Sequence, residues 1–201
     1  MSECRVGELV IECEVEPWRR IGLVVDEHGV AQVGGVRLRF VPGTRGLVGW
    51  GLVDCPTSSD TIDGLPTHSV DAATTDAPAH PLGILGFDHV VVSTSSLERT
   101  CEAIEAVTGA PLKRIREAGA IRQGFHRLGE IIVEVVETAQ VTAPEASFWG
   151  FVWNLADLHE SCDRLGPDLV SLPKAAVQPG RFIATVRSGA GLRLPLAFMT
   201  A

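Results

Sequence analysis

Phe87-Asp88-His89-Val90-Val91-Val92, followed at once by Ser95-Ser96-Leu97-Glu98, is the stretch from which this 201-residue chain is best read. The first six residues form a largely apolar, β-branched run that suits a buried strand. Ser95 with Glu98 three positions later is a capping-box signature for a helix start. Leu97, Cys101 and Ile104 then fall at i, i+4 and i+7 on one helix face, and Gly109 and Pro111 stop that helix. Residues 121–128 and 131–136 read as strands split by Gly129-Glu130. The order is strand, helix, then further strands.

The same order returns downstream. Phe151-Val152-Trp153 is a short apolar run, and Asp157 precedes a helix carrying Leu158, Cys162 and Leu165 at the spacing of Leu97, Cys101 and Ile104. Gly166-Pro167 ends it, and residues 181–187 and 192–199 supply later strands. An internal repeat with matching helix register predicts two βαβββ modules, at about 85–140 and 146–201. Each leaves a half-built sheet, so pairing buries both apolar faces. The expected class is α+β, with these modules forming a domain over residues 85–201.

Upstream the pattern differs. Val36-Arg37-Leu38-Arg39-Phe40 alternates as a half-buried strand does, between turns at Gly34-Gly35 and Pro42-Gly43. Residues 21–25 and 47–53 are further strand candidates, so residues 1–54 read as a small antiparallel β domain of about four strands. Residues 55–84 show no period and carry Pro56, Pro66, Pro78 and Pro81, which predicts an extended linker.

Composition narrows the function classes. The chain is 45% hydrophobic and 21% charged, enough apolar content for a core, and its net charge is -8. An acidic protein without basic runs is a poor nucleic-acid partner. No segment reaches the roughly 18 to 20 apolar residues of a membrane span. The N-terminus lacks the basic-then-apolar order of a secretory signal, and Cys4, Cys13, Cys55, Cys101 and Cys162 show no paired framework. The expectation is a cytoplasmic protein with reduced thiols and no membrane partner. Phosphate loops, dinucleotide fingerprints and nucleophile elbows are absent from the sequence.

Phe87 to Val92, the capped helix, and Leu128-Gly129-Glu130-Ile131-Ile132-Val133-Glu134 together resemble the vicinal oxygen chelate superfamily, which includes glyoxalase I, bleomycin-resistance proteins and extradiol dioxygenases. Pro17-Trp18-Arg19-Arg20-Ile21-Gly22 and Ala176-Val177-Gln178-Pro179-Gly180-Arg181 narrow the resemblance to actinobacterial glyoxalase-like proteins. The resemblance implies that the paired modules form a half-open barrel around a divalent metal (Zn, Ni, Fe or Mn), each module giving ligands from its first and last strands. His89 and Glu134 match the first module's ligand positions. They are the candidate catalytic pair, as metal ligands in a metal-dependent lyase, isomerase or dioxygenase, or as base and acid in a lyase or isomerase step. The second module departs, since Gly150 stands at the second histidine's place and residues 191–198 contain no carboxylate. The site is therefore incomplete, with His126 as a further donor.

Other readings stand beside this one. His89 also suits a histidine hydrogen-bonded to its neighbour Asp88, and Glu134 suits pairing with Arg122 or Arg127. Phe148, Trp149 and Trp153 could line a small-molecule cleft with His126, Arg122 and Arg181. A metal-free binding or resistance-type protein is the alternative function, and a structural module whose cleft is filled by residues 1–82 is another. Exchange of modules between protomers would make a homodimer.

Overall fold

The computed structural model describes residues 3–56, 58–73 and 78–201. Positions 57 and 74–77 of the expected linker lie outside the described residues. The N-terminal part contains β1 (Arg5–Glu12), α1 (Glu16–Arg20), β2 (Val30–Val33), β3 (Val36–Val41), β4 (Gly46–Val53), β5 (Thr61–Ile62) and β6 (Leu65–Ser69). They form a six-stranded sheet in the order β2-β3-β1-β4-β6-β5.

This sheet corrects the sequence reading in three ways. It is mixed rather than antiparallel, because β1 runs parallel to β3 and β4 runs parallel to β6. Residues 61–69 of the expected linker supply its last two strands. Residues 21–25 form no strand, and the chain instead makes the short helix α1, with Pro17 in its first turn where a missing N–H costs nothing. The supposed linker also anchors its surroundings. Asp63 accepts hydrogen bonds from Arg99 Nε at 2.8 Å and Thr100 Oγ1 at 2.5 Å, and His80 receives the N–H of Val24 on Nδ1.

The C-terminal part contains β7 (Ile84–Thr94), α2 (Leu97–Thr108), β8 (Arg114–Ala118), β9 (Ile121–Leu128), β10 (Ile131–Thr138), β11 (Ser147–Leu155), α3 (Leu158–Leu165), β12 (Lys174–Ala175), β13 (Phe182–Thr185) and β14 (Leu196–Thr200). These are two βαβββ modules, β7 to β10 and β11 to β14. Their eight strands form one sheet, β12-β13-β14-β11-β7-β10-β9-β8, joined where β7 and β11 run antiparallel. Its edge strands β12 and β8 do not pair with each other, so the sheet is open. Both helices are capped as short polar side chains allow. Ser96, not Ser95, accepts from Arg99 N, and Asp157 accepts from Glu160 N at 2.9 Å.

One apolar core joins the two sheets. The N-terminal sheet packs with α2 and α3 on the same face of the C-terminal sheet, and the core runs from Leu9, Ile11 and Trp50 to Val90, Phe151 and Phe198. Trp18 is fully buried at its centre, its ring 6.0 Å from Phe151 and 5.9 Å from Trp153. Trp50 meets Phe148 edge-on at 5.3 Å. Fully burying an aromatic side chain removes roughly 150–250 Å² from water, a transfer term of about 4–6 kcal/mol.

The cysteines divide. Cys4 and Cys55 are joined in a disulfide, a correction to the expectation of reduced thiols throughout. Antiparallel pairing of Arg5 with Val53 brings the flanking positions together, which spacing in the sequence does not reveal. Cys13, Cys101 and Cys162 are free and buried. Burial pushes the Cys101 thiol up to about 12 and raises that of Cys162, which disfavours the thiolate at both.

Because Trp18 bridges the sheets, Trp18→Ala is expected to cost about 3–5 kcal/mol in urea unfolding. Both sheets should melt in one shifted transition, and separate transitions for the two would contradict a shared core.

Candidate functional site

The sheet's two faces have different fates. In β9, a Cβ at Gly124 would lie 2.8 Å from Cys101 Sγ, so the residues alternating with Gly124 face α2 and the core. The opposite, free face carries Gln123 and Phe125 of β9, Ile132 and Glu134 of β10, and His89 and Val91 of β7. Register fixes this set, since Ile132 pairs with His89, and Glu134 pairs with both Val91 and Phe125.

His89 and Glu134 therefore meet, with His89 Nε2 3.4 Å from Glu134 Oε2. Their side chains are 17% and 14% exposed, so the pair is mostly covered but still touches solvent. Gln123 Nε2 donates a short hydrogen bond to Glu134 Oε1, while Gln123 Oε1 is buried without a partner among the described residues.

Behind His89 stands Asp88. Sequence neighbours in a regular strand point to opposite faces. Here the pairing of β7 with β11 passes from His89–Val152 to Phe87–Trp153 and skips Asp88, a bulge that frees its side chain. Asp88 Oδ2 lies 2.7 Å from His89 Nδ1, and Arg181 Nη1 donates to Asp88 Oδ1 at 2.6 Å. Arg181 is itself held by Asn154 Oδ1 at 2.6 Å and by the carbonyl of Thr200. Burial tends to raise the Asp88 pKa, but the hydrogen bonds and charges of His89 and Arg181 outweigh it and leave the carboxyl below its ordinary range. An ionised Asp88 orients the imidazole and leaves Nε2 directed toward Glu134.

The adjoining half of the free face is apolar. Val152, Ala197 and Met199 are buried there against Ile183 and Ala176, in a cluster separate from the main core. A histidine–carboxylate pair thus borders a small buried apolar cluster.

Comparison with solved structures supplies the fold's relatives. Methylmalonyl-CoA epimerase from Mycobacterium tuberculosis superposes with a TM-score of 0.50 at 12% identity, covering 59% of this chain and 89% of that one. A Streptomyces coelicolor methylmalonyl-CoA epimerase variant in complex with 2-nitronate-propionyl-CoA gives 0.48 at 14% identity, covering 59% and 95%. The paired βαβββ modules have the glyoxalase-like fold. No family model and no curated protein matches the sequence.

The second module's counterparts of His89 and Glu134 can be located by register. Val91 pairs with Gly150, and Ala197 stands beside Val152 on β14 as Glu134 stands beside Val91 on β10. A Cβ at position 150 would lie 2.1 Å from the carbonyl oxygen of Pro195, so no ligating side chain fits. Among the described residues no three His, Cys, Asp or Glu side chains converge on an ion position. Catalytic sites of this kind use about three protein ligands. The donor set therefore does not fit the divalent metal that the resemblance implies.

The remaining sequence candidates scatter. His126 is 1% exposed on the core face, where Nδ1 meets the carbonyl of Ala110 at 3.0 Å. Burial lowers its pKa despite that contact, and it lies on the other side of the sheet from His89. Trp153 and Phe148 are on the core face too, committed to Trp18 and Trp50. Neither of these aromatics lines the face that carries His89. Trp149 sits at a second bulge, 56% exposed. Arg122 pairs with Glu98 and Glu137 on the helix side rather than with Glu134. Arg181 alone of that group reaches the His89 cluster. The N-terminal sheet's core contacts are on the helix face, which leaves the His89 face uncovered by that sheet.

Sequence reasoning missed Gln123, Asn154, Val152, Ala197 and Met199 as site residues. Alternation marks all of them once β7 is placed, but only the strand register assigns the face.

The Asp88 carboxyl titrates lower in the folded chain than its ordinary 3.8. Its contribution to stability is present above about that pH and is lost as pH falls through the folded value. The stability gap between the native protein and Asp88→Asn, from urea unfolding, should close as pH drops from neutral toward about 2. A gap independent of pH would remove Asp88 as an ionised partner of His89.

Proposed function

We propose that the free face of the C-terminal module pair binds a small oxygenated molecule and moves a proton on it, with His89 and Glu134 as the exchanging pair and without a resident metal. The observation that carries this reading is the Asp88–His89–Glu134 arrangement, in which one imidazole is held by an ionised carboxylate and faces a second carboxylate. Such a pair can remove a proton at one position and return it at another, the requirement of an isomerase or lyase step. The buried cluster of Val152, Ala197 and Met199 gives the pair an apolar backing, and the buried, unpartnered Gln123 Oε1 would accept a hydrogen bond from a substrate's polar part once its side chain turns outward. The fold shared with a protein named as an epimerase is consistent with this reaction type.

A second reading, binding without turnover, is favoured by where the sizeable cavities lie. Two cavities, of about 710 and 650 Å³, include neither His89 nor Glu134, although Asn154 lines the first.

The test is solvent deuterium exchange. Small 2-oxo acids, 2-hydroxy ketones and branched acyl thioesters would be incubated with the protein in D2O and examined by mass spectrometry. Proton transfer predicts deuterium uptake into at least one of them, reduced by about 10²-fold or more in His89→Ala and in Glu134→Gln. Saturable binding with no uptake would replace the enzyme reading by sequestration. In parallel, protein exposed to Zn, Ni, Fe and Mn and then dialysed should retain well under one equivalent. One equivalent that is lost in the His89→Ala, Glu134→Ala double variant would overturn the metal-free part.

A further inference from the structure

The N-terminal sheet repeats the pairing scheme of the C-terminal one. In the latter, β7 runs parallel to β10 and antiparallel to β11, β11 runs parallel to β14, and β10 and β14 pair antiparallel with β9 and β13. In the former, β1 runs parallel to β3 and antiparallel to β4, β4 runs parallel to β6, and β3 and β6 pair antiparallel with β2 and β5. Strand for strand, it is a module pair without the outer strand of each module, and α1 stands where α2 does.

The registers correspond as well. Val91 sits between Glu134 and Gly150, and Val10 sits between Arg39 and Gly49. Two residues before these valines stand His89 and Glu8. The positions of the His89–Glu134 pair are thus held by Glu8 and Arg39, and they also touch, with Arg39 Nε 2.9 Å from Glu8 Oε1. Both faces point away from the shared core, since Leu9, Ile11, Leu38 and Phe40 fill the alternate positions of β1 and β3 inside it.

This outer face holds more than a structural ion pair. His68 Nε2 lies 3.0 Å from Glu8 Oε1, and Arg37 Nε lies 3.6 Å from Oε2, so one buried carboxylate faces three basic groups. Beside them is a cavity of about 310 Å³ lined by Val10, Arg39, Arg45, Gly49, Pro66 and His68. Asp60 also lines it, and Glu12 binds Arg45, so the local charges nearly balance. Donor geometry distinguishes it instead. Among the described residues, the two terminal nitrogens of Arg39 and Nδ1 of His68 have no hydrogen-bond partner. A guanidinium with both terminal groups available matches the paired oxygens of a carboxylate or phosphate.

We infer that the outer face of the N-terminal sheet is a second ligand cleft, built on the strands equivalent to those of the first, that takes a small oxyanion between Arg39 and His68. The charge pattern differs between the clefts, so they serve different ligands.

The experiment is a ¹H–¹⁵N correlation titration of the full chain with inorganic phosphate, and separately with succinate, against sodium chloride at matched ionic strength. At least one of the two should produce saturable shifts at the amides of Gly49, Thr67 and His68. Affinity should fall about tenfold in Arg39→Gln, which leaves Glu8 facing Arg37 and His68 and so keeps it compensated. His68→Gln, which keeps a hydrogen-bonding side chain, should weaken binding less. Shifts that rise linearly with both anions, that match sodium chloride, or that survive unchanged in Arg39→Gln would overturn the proposal. The outcome does not depend on the chemistry at His89.

Discussion

Burial of Trp18 between two sheets is the constraint from which the rest of the molecule follows. The helix that carries it is five residues long, too short to persist on its own, and is fixed by what its tryptophan reaches. That side chain contacts Phe40 in its own sheet and Phe151 and Trp153 in the other, so neither sheet completes its apolar layer alone. Each sheet consequently commits one face inward and leaves the other free. Each free face carries a polar pair, His89 with Glu134 on one and Glu8 with Arg39 on the other.

The C-terminal architecture was legible because its signal repeats. Leu97, Cys101 and Ile104 and their counterparts Leu158, Cys162 and Leu165 impose one helical face twice, and capped starts and glycine stops agree with it. Local propensity and long-range pairing point the same way there, which makes a sequence easy to read. The N-terminal half was harder. Trp18 and its neighbours could be read as β-rich, while tertiary packing drew Glu16–Arg20 into a helix. Residues 61–69 contain Pro66, which suggests a linker, yet proline is tolerated near a sheet edge, and here β5 and β6 are the last strands.

The site was legible only in part. The His89–Glu134 encounter followed from resemblance and is realised as a contact between β7 and β10. The aromatic lining was assigned by proximity in sequence, and the face decides otherwise. A bulge at Trp149 and another at Asp88 shift the register of β11 against β7, sending Phe148 and Trp153 to the core and leaving Gly150 and Val152 outside. Bulges of this kind add a residue without changing composition or period noticeably, so one sequence does not reveal them. The Asp88–His89 contact depends on the same irregularity, since a regular strand would place the two side chains on opposite faces.

The back-to-back arrangement of the sheets has a consequence for communication across the molecule. The His89 cluster and the Glu8–Arg39 cluster face opposite sides, and the material between them is a continuous close-packed layer of Leu9, Leu38, Trp18, Val90 and Phe151. A ligand that shifted β7 would press on that layer, and β1 lies on its other side. Dense interiors deform little and transmit strain instead of absorbing it. Any coupling between the two faces is therefore mechanical, and by linkage it is equal in both directions.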